Sequence, residues 1–339
     1  MDLATHALAG LALARANPAW TGPSSARRGA PALVLLAGAL APDLDMLVVL
    51  VDPTRAALLR HTFTHSLVAL PAMAAGIAVL ARLAGGRLGF WQTAALAAAG
   101  IVLHIGLDLL NAYGVVLFHP LSDARVEFGL LFVVDPVLTG VLALGLGLSL
   151  LPRLGPGARA AVAATALALA LAHVGVAALL RERASDMLAA TASAPAVDLV
   201  PEPFAPLRWR GILRRPDGYD QYAIRPVANR IERLPSVLSD PEAPAVAAVR
   251  RSVPGMALAG FLHAPVWRVE GDRVTVHDLR YRFAELGNAW DPFGFAFEVG
   301  PGGAGLGGDR TVRLVGASLD ERVGRSLTVL AQILGGGGH

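Results

Sequence analysis

Among the acidic and imidazole side chains of the oily first third of this chain, seven are set into its apolar text at spacings that could converge: His6, Asp43, Asp45, His61, His65, His104 and Asp108. They constrain the fold more than any other feature. Over its 339 residues the chain is 54% hydrophobic and 16% charged, with a mean hydropathy of +0.54. Soluble domains usually carry about 25% charged residues, so a membrane protein is expected. An aspartate at the centre of a bilayer costs roughly 2.5–3.5 kcal/mol on an insertion scale. Were Asp43, Asp45, Asp108 and Asp135 all placed there unpaired, the cost would be on the order of 10–14 kcal/mol. They repel one another and cannot relieve that cost mutually, whereas a bound cation can. Histidine with aspartate is a ligand set for zinc, manganese or iron.

The spacings agree with a shared site. His104 and Asp108 in "HIGLD" are four apart and lie on one face of a helix. His61 and His65 share that spacing if "RHTFTH" is helical. Asp43 and Asp45 in "APDLD" are two apart, which points both carboxylates the same way only in an extended stretch. Pro42 supplies the reason for a helix to stop there, and a broken helix at membrane depth requires protein or a wet cavity against it. Asp135, followed by Pro136, reads as a capping residue, Asp2 as the cap of the first helix, and His173 as a hydrogen-bonded core histidine.

Two regimes divide the chain. Residues 1–185 are dominated by apolar runs, of which Ala160 to Leu180 is the cleanest spanning candidate, and predict a mainly α, polytopic helical membrane domain with one broken helix. Residues 186–339 are proline-rich, charged and alternating, and predict a smaller α+β or β-rich soluble domain. The stretch "RERASDMLAATASAPAVDLVPEP" reads as the linker between them. In the second part, "RVEGDRVTVHDLRYRF" reads as a hairpin, Asp240 to Arg251 as a helix, and Trp209, Trp267, Tyr281 and Phe283 as core. "GPGGAGLGGD" reads as a flexible loop, and "GGGGH" as a tail.

The chain contains no cysteine, which excludes disulfides, thiolate metal sites and cysteine nucleophiles. Arginine supplies every fixed positive side chain, and a formal charge of +3 gives no nucleic-acid signal. No glycine-flanked nucleophile elbow surrounds Ser66, Ser122 or Ser252, which disfavours a serine hydrolase.

Taken in order, "MDLATHALAG", "APDLD", "RHTFTHSL" and "HIGLDLLNAYGVVLFHPLSDARVEFGLLFVVDPVL" resemble the YdjM-like family of inner-membrane metal-dependent hydrolases, to about residue 150. The later "PLRWRGIL" and "VWRVEGDRVTVHDLRYRF" resemble the appended domain of its longer members. The resemblance implies metal ligands at His6, Asp43, Asp45, His65, His104 and Asp108, and a substrate loop bearing Asn111, Tyr113 and His119. Where the family pattern has His-Arg, this chain reads Arg60-His61, which leaves His61 outside that ligand set and gives Arg60 the work of the neighbouring position.

Six oxygen and nitrogen ligands exceed the needs of one structural zinc, so one or two catalytic divalent ions, zinc first, are expected. Arg60 and Arg125 are the candidates for steadying negative charge in a reaction, and Thr64 for orienting a ligand. A membrane lipid or lipid-linked phosphoester is the expected substrate, and the cell inner (cytoplasmic) membrane, crossed several times, the expected location. The rival expectation is a non-catalytic transporter or scaffold with a structural metal site, since buried carboxylates and broken helices also occur in carriers.

Overall fold

A computed structural model describes residues 1–18, 29–50, 59–192, 196–282, 294–302 and 310–315. Helix α1 (Leu3–Arg15) starts where Asp2 accepts a hydrogen bond from the Thr5 N–H, the cap expected of that residue. Helix α2 (Gly29–Leu40) ends before Pro42, and the chain continues as a 3₁₀ helix, Pro42–Leu50. The break falls where proline places it, but the segment after it is coiled rather than extended. A second 3₁₀ turn, Phe63–His65, precedes α3 (Ala69–Leu83), so "RHTFTH" does not form the helix that would align His61 with His65.

Helix α4 (Phe90–Asp108) carries the next polar pair, and α5 (Pro136–Ser149) begins at Asp135, which caps it through the Leu138 N–H. Asp135 also pairs with His173 Nε2 at 3.1 Å, on α6 (Pro156–Thr191). The stretch that reads as a linker is therefore helical through Thr191.

The expectation of a mainly α, polytopic membrane domain is corrected. Among the described residues, only α4 and α6, at 19 and 36 residues, are both long and apolar enough to cross a membrane. Helices α2, α3 and α5 have 12, 15 and 14 residues. At 1.5 Å per residue they reach only about 18–23 Å, against a hydrocarbon thickness of about 30 Å. The apolar runs overstate the helices because Pro42, Asp108 and Asp135 interrupt them or set their ends.

The later part, expected to be α+β or β-rich, holds two antiparallel four-stranded sheets. The first, ordered β1-β2-β3-β4, uses β1 (Ala196–Glu202), β2 (Ala205–Arg215), β3 (Gly218–Arg225) and β4 (Arg230–Leu238). The second, ordered β5-β6-β7-β8, uses β5 (Pro265–Glu270), β6 (Arg273–Asp278), β7 (Phe295–Gly302) and β8 (Arg310–Val315). Between β4 and β5 lie α7 (Pro244–Arg251) and α8 (Val253–Ala259).

Strands β5 and β6 form the expected hairpin, with Gly271 taking the left-handed φ of +60° at the turn. Trp209, Trp267 and Tyr281 are buried, as a core requires. Phe283, residues 303–309 of the glycine-rich stretch and the "GGGGH" tail lie outside the described residues.

The described residues fall into two compact units. One takes in Met1–Met46, Arg60–Arg183 and Pro201–Arg208; the other takes the described parts of Leu47–Leu59, Ala184–Val200 and Trp209–His339. The buried histidines and aspartates of the apolar half all belong to the first.

Candidate metal centre

Helices α2 and α5 flank α1, and α2 and α3 pack on α4. The α2–α4 contact is close because both helices present glycine. A Cβ on Gly38 would sit 2.3 Å from the Ala97 carbonyl oxygen, and one on Gly100 would sit 2.4 Å from that of Leu35. Contacts under 3.0 Å are essentially never seen for a real Cβ, so only glycine permits this approach.

The approach has a chemical result. Ala39 is in the last turn of α2, where carbonyls lack a partner within the helix. Its oxygen lies 2.7 Å from His104 Nδ1 on α4. A carbonyl only accepts, so Nδ1 carries the proton and, in the neutral ring, Nε2 presents a lone pair.

The other two imidazoles obey the same rule through different partners. His61 Nδ1 donates to the Gly114 carbonyl at 3.2 Å. His65 Nδ1 lies 3.0 Å from Thr64 Oγ1 and 3.5 Å from Asp45 Oδ2. All three Nε2 atoms converge on Asp108 Oδ2, at 3.6 Å for His61, 3.2 Å for His65 and 3.1 Å for His104. The Nε2 atoms of His65 and His104 are themselves 3.1 Å apart. His6 stacks on His104 with ring centroids 3.7 Å apart, and its Nε2 lies 3.2 Å from Asp108 Oδ1. The α-amino group of Met1 forms a buried ion pair with the same oxygen.

Four histidines and a carboxylate thus crowd one point, with His6, His65, His104 and Asp108 fully buried and His61 nearly so. Lone pairs aimed at a carboxylate repel it, and among the described residues neither Asp108 Oδ2 nor either ring nitrogen of His6 has a hydrogen-bond partner of acceptable geometry. A positive ion resolves both problems. Three buried groups among the described residues have ligand atoms all within 4.8 Å of one another: His6, His104 and Asp108; Asp43, His65 and His104; His61, His65 and Asp108. These buried groups can hold a metal ion, and their all-nitrogen and oxygen donor set fits a borderline or hard divalent cation.

The remaining expected residues take distinct places. Asp43 Oδ1 accepts from Arg60 Nη2 at 3.1 Å while joining the His65 and His104 group. Asp45 lies behind His65: its Oδ2 accepts from the His61 backbone N–H at 2.9 Å and from Thr64 Oγ1 at 3.4 Å. That is the position of a carboxylate that orients a metal-binding histidine through its far nitrogen. Arg60, with its side chain 27% exposed, sits at the rim between Asp43 and Asp45. Ser66 is spent locally, donating to Phe63 O and capping the start of α3.

In the loop after α4, Asn111 is fully buried, its Oδ1 accepting from the Tyr113 N–H at 2.7 Å and its Nδ2 without a hydrogen-bond partner among the described residues. Tyr113 meets the His61 ring edge-on at 4.6 Å. Arg125 lies over the Tyr113 ring and donates to the carbonyls of Gly114 and Arg60, stitching two loops together. His119 is not brought into the cluster by any contact among the described residues; it pairs with the exposed Asp123 at 3.2 Å and meets Phe63 edge-on.

His61 is the site residue that the family pattern leaves out. It holds a left-handed φ of +57°, uncommon for a residue with a side chain. Asp45, Gly114 and the Val116 N–H, which donates to His61 O at 2.8 Å, fix it there. Its imidazole in an oily context is the one signal in the sequence. The carbonyls of Ala39 and Gly114, which set two tautomers, leave none.

Comparison with known proteins places this geometry in a family. Residues 1–184 match the family described as YdjM inner membrane protein. Over 139 residues the chain is 31% identical to the protein named "Uncharacterized protein YfhP" of Bacillus subtilis (strain 168). That stretch makes up 40% of this chain and 42% of the relative, so the chain spans less than half of that protein's length. No solved structure matches the chain. Its matched half, which contains the whole histidine and aspartate cluster, establishes that this chain belongs to the YdjM inner membrane protein family.

Proposed function

We propose that this protein is a membrane-bound metal-dependent hydrolase that cleaves a phosphoester of a lipid or lipid-linked substrate, with zinc as its ion. One observation carries the reading: three imidazoles, each tied down through Nδ1, turn Nε2 toward a single buried carboxylate. His61, His65, His104 and Asp108 would hold the ion, with His6 and Asp43 able to complete its shell or to hold a second. When bound, such an ion supplies Lewis acidity and lowers the pKa of a coordinated water toward 7.

The chain's own groups do the rest. Asp45 and Thr64 hold His65 in its tautomer. Arg60, at the rim, is placed to meet the negative charge that develops on a phosphoryl oxygen, while its bond to Asp43 keeps its guanidinium there. Asn111 offers a buried amide N–H to a substrate oxygen. Tyr113 and Arg125 keep the wall in place, and His119 with Asp123 stands outside it as a candidate contact for the leaving group. The burial of the cluster excludes bulk water, which strengthens every charge interaction in it.

The test is elemental analysis of detergent-purified full-length protein beside Asp108→Ala and His104→Ala, together with hydrolysis of a generic phosphodiester and of a phospholipid. Stoichiometric zinc lost in both variants, and turnover lost on chelation and restored by zinc, are the expected results. Metal retained in both variants overturns the ligand assignment. Metal present with no turnover of either substrate favours a structural centre in a carrier or scaffold.

A further inference from the structure

At the far end of α4 from Asp108, the chain builds a second polar feature that the metal centre does not use. Helix α3 closes with a left-handed glycine, Gly85, at φ +79°. The Gly85 N–H donates to Arg82 O at 3.0 Å and the Gly86 N–H to Ala81 O at 2.8 Å, the paired bonds of a Schellman stop. A Cβ at Gly86 would lie 2.6 Å from the Ala81 oxygen, so this reversal needs glycine. It brings Arg87 back beside Arg82. The two line a small, partly open pocket whose other walls include Val34, Ala81, Leu88 and Thr93.

Both arginines are exposed, and neither forms a hydrogen bond or ion pair among the described residues. Two other arginines at helix ends in the first unit are engaged. Arg15 bonds Ser149, and Arg159 bonds the carbonyls of Leu151 and Pro152. Next to the pocket Trp91 is 81% exposed and packs edge-on against Phe90, as aromatic side chains do at a membrane interface. Helix α4 has 19 residues and is about 28 Å long, close to a hydrocarbon core of about 30 Å. With α4 spanning the bilayer, the pocket would lie at one headgroup level and Asp108 at the other.

We propose that the α3–α4 turn binds the phosphate headgroup of an anionic membrane phospholipid, with Arg82 and Arg87 on the phosphate and the apolar wall of Val34, Ala81 and Leu88 against the upper acyl chain. Two unpaired cations over an apolar floor match that molecule at both ends, and the family's inner-membrane residence supplies it.

The test uses full-length protein in nanodiscs of phosphatidylglycerol or phosphatidylcholine, with retained lipid counted by native mass spectrometry. Wild type is expected to retain phosphatidylglycerol selectively. Arg82→Gln with Arg87→Gln is expected to weaken retention about 30-fold, the effect of two basic groups near a bilayer surface. Arg82→Lys with Arg87→Lys should keep most of it, and Arg153→Gln, in another exposed turn, should change nothing. If the double glutamine variant fails to fold by circular dichroism, Arg87→Gln alone, in the loop, is expected to lose about fivefold. Equal retention of the two lipids, or unchanged retention in the folded glutamine variant, overturns the proposal. Displacement of the lipid by millimolar inorganic phosphate would reduce the site to a bare anion contact and overturn it as well.

Discussion

Gly100→Ala tests whether the α2–α4 approach sets the state of His104. The added Cβ would fall 2.4 Å from the Leu35 carbonyl oxygen and 2.8 Å from the Ala39 N–H nitrogen, both backbone atoms that cannot swing aside. Restoring an ordinary contact of about 3.4 Å requires the helices to part by roughly 1 Å. The His104 Nδ1 to Ala39 O bond, now 2.7 Å, would stretch to about 3.7 Å and cease to be a hydrogen bond. Overpacking of this kind costs about 1–3 kcal/mol, and loss of an orienting partner costs about 10–100-fold in metal affinity. Gly106 lies on the same helix with nothing within 4 Å of the place a Cβ would take, so Gly106→Ala is the matched control. It should leave affinity unchanged and firm the helix by about 0.5–1 kcal/mol. Competition between each purified protein and a chromophoric zinc chelator measures both effects. Wild-type affinity in Gly100→Ala, or an equal loss in Gly106→Ala, would refute the reasoning.

Other expectations follow from the same geometry. His61→Ala should reduce zinc affinity as much as His65→Ala does, measured by the same competition, although the family pattern favours only the latter. Asp45→Asn should keep stoichiometric zinc by elemental analysis but weaken its binding about 10–100-fold, because it loosens the supports of His65 and His61 without removing a nitrogen that faces Asp108. Chelation of the purified protein should lower its Tm reversibly, since an ion that binds only the folded state stabilises it by mass action. In the strand-rich unit, burial, with Arg282 and Arg268 beside it, lowers the His277 imidazole to about 4. Its neutral form is the folded one, so its contribution is present above pH 6.5 and is lost as pH falls toward 4, on the order of 3 kcal/mol in full. Urea titrations of wild type and His277→Gln across that window should show the variant with the shallower dependence.

Much of the centre is legible in the amino-acid order. The i, i+4 pairing of His104 with Asp108 holds because that stretch is an ordinary helix, and Pro42 does stop α2. Asp2 and Asp135 cap because short acceptors before a helix have free N–H groups to meet. His61 is not legible in this way, because its placement depends on a left-handed residue and a 3₁₀ turn rather than on helical periodicity. Asp43 and Asp45 reach the site from a coiled segment, so their two-residue spacing separates their tasks instead of pairing them. The number of spans departs from expectation for a different reason: hydropathy records apolar length, while helix length is set by caps and breaks. Strand β4, "RIERLPSVL", is hidden by its proline and by charges on an exposed face.

The donors of the first unit are drawn from residues 6 to 108, and no segment shorter than that contains them all. The ion of the proposed centre would therefore not be captured locally, as in a zinc finger, but only once α4 has brought His104 and Asp108 against the loop that bears His61 and His65. Metal loading would then act as a completion signal in biogenesis: a copy truncated before α4 would stay empty, and ion content would report how much of a preparation is correctly assembled.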